Sequence, residues 1–345
     1  MKPWVVIRPR DTISFRLDRR VPPILLILAL LTFAAMLMNV GYGEYTIPPL
    51  DVLKTLGGIE TDQGYSLVVN TLRLPRVLVA LLVGMGLATS GAILQGLTRN
   101  PLADPGIIGV TAGASLAAVT LIVLFPAIAL FTLPFAAFGG ALVVTVLIYW
   151  LAWNQGSSPM RLILIGIGIT SIATALTTVL VTFGEINNVS QALIWLTGSV
   201  YGRSWHHVWS LLPWLAVFLP LAFVLCRDLN ALNLGDDVAQ GLGSHVEQKR
   251  TLLLLISVAL AAASVATAGS IGFVGLIAPH LARQLVGPTH EGLLPTAALT
   301  GGMIVVSADL LAKMLFAPIE LPCGIVTAII GAPYFLYLLY QNRNQ

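Results

Sequence analysis

The sequence predicts an all-α polytopic membrane protein with about ten transmembrane helices, and three observations predict it. Of 345 residues, 57% are hydrophobic and only 10% charged, with mean hydropathy +0.90, whereas a soluble domain carries about a quarter charged residues. The apolar residues gather in unbroken runs near the ~20 residues needed to cross ~30 Å of hydrocarbon. The basic residues sort to one side of those runs. Only helices and closed barrels pair every backbone group inside lipid, and unbroken runs of this length are helices.

Residues 1–21 form a basic segment with Lys2, Arg8, Arg10, Arg16, Arg19 and Arg20, which reads as a cytoplasmic anchor. The formal charge of +3 and the pI near 9.0 are therefore no sign of a nucleic-acid partner. The apolar run 22–40 follows, with no small-residue cleavage site after it, so it is a retained first span and not a signal peptide. Further spans are predicted at 75–96, 106–125, 134–153, 162–183, 208–226, 252–268, 272–286, 293–312 and 321–340. Gly269, Gly272, Gly275 and Pro279 interrupt the seventh and eighth, so one or two segments are expected to be broken or re-entrant. Residues 41–74 and 184–207 are read as outer loops and 227–251 as the main inner loop. With both termini in the cytoplasm, thirteen of the eighteen Lys and Arg residues face inward, as orientation by basic residues requires. No long soluble stretch divides the chain, which is read as one transmembrane domain, 1–345.

Small residues recur within the spans at Gly84, Gly86 and Ala88, at Gly166 and Gly168, and at Gly301 and Gly302, where they let helix backbones approach. Cys226 and Cys323 fall toward opposite faces and build neither a zinc site nor a disulfide framework. His280 and His290 lie at the inner surface without a second ligand cluster, so they read as structural or gating residues and no metal site is predicted.

Five stretches carry more. Arg73-Leu74-Pro75-Arg76 sets two arginines at the outer mouth of a span that continues through Gly84, Gly91 and Gln95 to the turn Asn100-Pro101-Leu102-Ala103-Asp104-Pro105-Gly106. Trp195-Leu196-Thr197-Gly198-Ser199 leads to Gly202-Arg203-Ser204-Trp205. In the inner loop, Leu234-Gly235-Asp236-Asp237-Val238-Ala239-Gln240-Gly241-Leu242-Gly243 reads as a compact helix offered to a partner or as a solvated loop. Gly272 to His280 continues to Arg283, Gly287 and His290, and Asp309-Leu310-Leu311-Ala312-Lys313 precedes Glu320-Leu321-Pro322-Cys323-Gly324. Asp309 and Lys313, four apart on a helix, are expected to pair.

In this order, across residues 73–333, these stretches resemble the permease family of the iron-siderophore and vitamin B12 ABC importers. The likeness is nearest to permeases for ferric citrate and ferric catecholate siderophores. It implies the type II ABC importer permease fold with ten helices, a second permease subunit, two ATPase subunits and an extracytoplasmic substrate-binding protein. It favours a heterodimer over a homodimer. The resemblance further implies that Arg73, Arg76 and Lys313 dock the binding protein as an outer basic patch, and that Leu234, Gly235, Asp236, Ala239, Gly241, Leu242 and Gly243 couple to the ATPase. Asn100, Pro101 and Leu102, with Ser158, Pro159 and Met160, would form a cytoplasmic gate. Two positions depart from the family pattern: Lys313 stands where arginine is usual, and Thr289-His290 where Asp-His is common.

No phosphate-binding G-x-x-x-x-G-K-[ST] occurs, so ATP and Mg are expected on the partner ATPase, and this chain is expected to be neither an enzyme nor a cofactor carrier. The spans hold no oxygen-ligand cluster for bare ferric iron, which leaves the iron's ligands to its chelator. Haem or cobalamin are the alternative cargoes. An ion-coupled secondary transporter would need midplane carboxylates, and the one span carboxylate weighed for that role, Asp309, lies near an outer end.

Overall fold

A glycine-rich helix forms the axis of the molecule. In the computed structural model, which describes residues 4–10, 13–43, 45–59, 65–127, 130–154, 158–315 and 320–341, helix α3 (Leu74–Thr98) is buried along most of its length. Three other helices pack on it: α11 (Val246–Ala268), α12 (Val274–Val286) and α13 (His290–Leu315). Contact is that close because the facing positions carry no bulk. A Cβ on Gly84 would strike the backbone of Gly301, one on Gly86 the Ser264 hydroxyl, and one on Gly91 the carbonyl of Gly275. Without water to drive association, van der Waals contact between such small residues holds helices together.

Around this centre stand α1 (Val21–Gly41), α4 (Val110–Leu124), α5 (Leu133–Ala152), α6 (Pro159–Phe183), α8 (Trp205–Val224) and α14 (Cys323–Gln341). Among the described residues, eight helices are long and apolar enough to cross a membrane: α1, α3 with the π-helical turn Leu67–Arg73 that precedes it, α5, α6, α8, α11, α13 and α14. Helices α4 and α12, with 15 and 13 residues, span only ~20 Å at 1.5 Å per residue, and they complete the ten segments read from the sequence. The chain is a multi-pass membrane protein. The expected break falls between the seventh and eighth spans: α11 ends at Gly269, residues 269–273 run without helix, and Phe273 takes a left-handed φ of 67° before α12 begins. Gly331 on α14 leaves the space that the Phe273 ring fills.

The loops hold more structure than the sequence reading allowed. The first outer loop contains α2 (Pro49–Leu56) and the second contains α7 (Ile186–Thr197). Residues 192–196 form the C-terminal half of that helix, which buries Ala192 and Trp195 and stops at Gly198, φ 72°. The inner loop folds into α9 (Cys226–Asn233) and α10 (Asp236–Gly241). The one non-helical element described precedes the bundle. Strands β1 (Trp4–Arg10) and β2 (Ile13–Asp18) pair antiparallel, Trp4 opposite Asp18 and Ile7 opposite Phe15, within the segment read as a basic anchor. Lys2 and Arg343 lie outside the described residues.

Candidate functional site

At the end of the bundle where α1 stops and α3 starts, five polar side chains form one network. Arg76 on the first turn of α3 donates from Nε to both oxygens of Asp309 at 3.1 Å, and from Nη2 to Oδ1 at 2.7 Å. Its Nη1 reaches Glu320 Oε2 at 2.6 Å, and the guanidinium lies 5.4 Å from the centre of the Tyr201 ring. Asn39, the last amide of α1, donates to Asp309 Oδ2 at 3.1 Å and accepts from Lys313 Nζ at 2.5 Å. Lys313 and Asp309 stand 3.5 Å apart, so the expected helical pair forms, but Arg76 holds the carboxylate more closely. Arg73 donates to the carbonyls of Val40, Gly41 and Tyr45, capping the negative end of α1.

Arg73, Arg76 and Lys313 therefore share one end of the molecule but do not form an open basic patch. Arg76 is 8% exposed and Lys313 6%. Two carboxylates neutralise two of the three charges, because a cation taken out of water needs a partner. Glu320, with 32% of its side chain exposed, is the outermost member. Sequence spacing showed the neighbours within one helix and missed Asn39, whose signal was a lone amide in an apolar run.

The opposite end carries α10. Its first residue, Asp236, pairs with Arg99 and accepts from Arg250 Nη2 at 2.7 Å. Arg99 closes α3 in a left-handed conformation, φ 53°, and its Nε also donates to the Leu232 carbonyl at 3.2 Å. Lys249 pairs with Asp228 at 2.9 Å. His290 sits under α9, its Nδ1 2.6 Å from Asn230 Oδ1, and Asn230 donates onward to Glu291 at 2.7 Å. These links fix α9 and α10 to the ends of α3, α11 and α13. Ala239 is fully buried, whereas Leu234, Val238 and Leu242 are 67%, 48% and 68% exposed. Leu234 ends α9 before Gly235 breaks the helix at φ 122°, Val238 lies on α10 and Leu242 caps its C-terminus, and the chain itself leaves all three apolar side chains uncovered. Nothing stands within 4 Å of where a Gly241 side chain would begin.

The two short turns of the expected gate lie at this same end. Asn100 Oδ1 accepts from the Leu102 amide at 2.9 Å, stiffening the turn that Pro101 begins. Ser158 precedes α6, which opens on Pro159, and Pro159 lines a small cavity with Leu97 and Thr98 of α3. Met160 is 65% exposed. Behind the first turn, Gln95 accepts from Arg283 at 3.1 Å and donates to the Leu276 carbonyl at 3.3 Å. Cys226 and Cys323 are both free and buried. Among the described residues, no three His, Cys, Asp or Glu side chains converge as metal ligands.

The model of the FecCD transport family matches residues 28–341. The chain belongs to the FecCD transport family. This FecCD member is similar to the ferric citrate import system permease protein YfmE of Bacillus subtilis (strain 168), 43% identical over 324 residues covering 93% of this chain and 96% of that one. It is also similar to the achromobactin transport system permease protein CbrC of Dickeya dadantii (strain 3937), 45% identical over 316 residues covering 91% and 90%. Its fold matches a solved inward-facing structure classed with metal-chelate type ABC transporters, with TM-score 0.84, 34% identity and coverage of 93% of this chain and 99% of that one.

Proposed function

We propose that the chain is the membrane-spanning permease of an ATP-binding cassette importer that carries an iron-siderophore or similar ferric chelate. The observation that carries the energy coupling is the exposure of Leu234, Val238 and Leu242. These exposed apolar side chains lie on and beside a short helix braced by Arg99 and Arg250 through Asp236. In an ATP-driven importer a chain without a phosphate-binding loop receives its energy through contact, and in this reading these side chains receive it from an ATPase that holds ATP and Mg. Two such ATPases, a second and different permease chain, and an extracytoplasmic binding protein complete the assembly. In this reading residues 1–345 are one domain with both termini cytoplasmic, the turns 100–102 and 158–160 gate the inner exit, and the chain itself catalyses nothing.

Docking of the binding protein at Arg73, Arg76 and Lys313 works by exchange. An incoming carboxylate replaces Glu320 on Arg76 Nη1, the one guanidinium nitrogen not held by Asp309. The relatives named above supply the cargo class. An ion-coupled carrier is the weaker reading, because Asp309 is tied to Arg76 at a helix end.

Uptake of labelled ferric citrate, ferric catecholates, haem and cobalamin by a deletion strain expressing this chain tests the assignment. Transport of a ferric chelate that needs the co-expressed ATPase and survives collapse of ion gradients is expected. Uptake that dies with the gradients and ignores the ATPase would overturn it.

A further inference from the structure

Arg203 lies in the turn between α7 and α8, and no carboxylate pairs with it among the described residues. Its Nε is buried without an acceptor, and burial lowers its pKa from the ordinary arginine value. The guanidinium nevertheless stays charged. Its Nη1 stands 3.3 Å from Nε2 of His207. That imidazole is already in use: the Ser204 amide donates to its Nδ1 at 3.2 Å, closing a reciprocal cap at the start of α8. A neutral imidazole accepts through one nitrogen only. With Nδ1 accepting from the Ser204 amide, Nε2 carries the hydrogen and faces Arg203 as a second donor. In the other tautomer Nδ1–H donates to Ser204 Oγ, 3.2 Å away, and Nε2 accepts from Arg203. In either one Arg203 Nε keeps no acceptor. An anionic oxygen beside Arg203 would supply that acceptor through a charge-assisted bond and would favour the tautomer whose Nε2–H also donates to it.

Around this pair opens a cavity of about 590 Å³, lined also by Trp195, Tyr201, Ser204 and His206. A second, of about 240 Å³, shares His206, His207, Phe131 and Pro134 with it and runs on past Phe135, Ser210 and Ala263. Helices α5 and α8 both pack on α11, and this cleft lies between them. The rings of Phe138 and Trp214 meet across it, centroids 4.6 Å apart. From His206 to Trp214 the cleft follows α8 for ~12 Å. Its two hydroxyls are spent on their own helices, Ser210 on the His206 carbonyl and Thr267 on that of Ala263. The result is a cationic head at a helix end and an apolar channel within two membrane-spanning helices.

We propose that this cleft holds a glycerophospholipid, its phosphate between Arg203 and His207 and the upper part of an acyl chain along Phe135 and Ala263. A polar soluble anion would find partners at the head and none below it, whereas an amphiphile matches both halves. Bound there, the lipid would tie α8 to α5 where the chain makes few contacts of its own.

The full-length chain, purified and reconstituted with phosphatidylglycerol, provides the test, with retained lipid counted by native mass spectrometry. Arg203→Gln removes the charge. His207→Glu keeps the cap, because glutamate suits that position, but supplies Arg203 with an internal carboxylate. Ser210→Phe, at an exposed position, blocks the channel and leaves Arg203 and His207 intact. Retention should fall roughly tenfold in each, equivalent to ~1.4 kcal/mol, while Ser210→Phe still binds inorganic phosphate as the parent does. Unchanged retention in His207→Glu, with normal helical content, overturns the proposal. Retention lost in the two charge variants yet kept in Ser210→Phe also overturns it, since that pattern marks a site for a soluble anion.

Discussion

Asp309 is 1% exposed and shares one cluster with Arg76, Lys313 and Asn39. Arg76→Met would leave that carboxylate with Lys313 at 3.5 Å as its remaining cation, and breaking a buried pair from one side costs ~3–5 kcal/mol. The expected outcome is a markedly lower melting temperature for the purified protein, before any docking is measured. Charge reversal at Arg76 therefore mixes fold with function. Glu320→Gln separates them, because its side chain is 32% exposed and Asp309 still holds the guanidinium. In that variant Arg76 Nη1 loses its charged competitor, so the binding protein should bind several-fold more tightly at low salt and lose most of that gain at physiological salt. Unchanged affinity at both salt concentrations would refute the exchange at Arg76. The positions of these basic residues were legible in the sequence, and their availability was not. Partners 233 and 244 residues away along the chain decide it, and no local spacing reports such distances.

Helix by helix, the apolar runs located the spans because a bilayer demands length and composition before anything else. The same logic hid α7 and α9. Both lie in segments that polarity assigned to loops, and their apolar residues become significant only beside the elements that bury Trp195 and Leu229. For α10 the sequence offered helix or solvated loop, and the Asp236 links to Arg99 and Arg250 brace the helix. Leu242→Asp puts a charge among the uncovered apolar side chains beside it, at a position 68% exposed, where a surface change alters stability by no more than ~0.5 kcal/mol. Assembly with the ATPase, followed by co-purification, should fail while the melting temperature stays put. A complex that still forms and stimulates ATP hydrolysis would sink the coupling role. In α3, Gly91→Ala sends a methyl group into the Gly275 carbonyl. Overpacking against backbone costs about 1–3 kcal/mol, so this small substitution should lower the melting temperature more than Ala112→Gly on the rim.

At the scale of the whole molecule, α3 touches every feature assigned here except the lipid cleft. Arg76 stands on its first turn and Arg99 closes its last, ~34 Å apart at helical rise. No proline lies between them to bend it. A helix of that length, packed along most of its sides, would work as a lever. Tilting it by about 3° moves one end by ~1.8 Å relative to the other, the size of helix shift that switches other assemblies. The backbone contacts of Gly84 and Gly91 lie near its middle and would be the pivot of such a tilt. Capture of a loaded binding protein at one membrane face and closure of the ATPases at the other would then be two loads on a single beam, each felt at the opposite end without any signal passing from side chain to side chain.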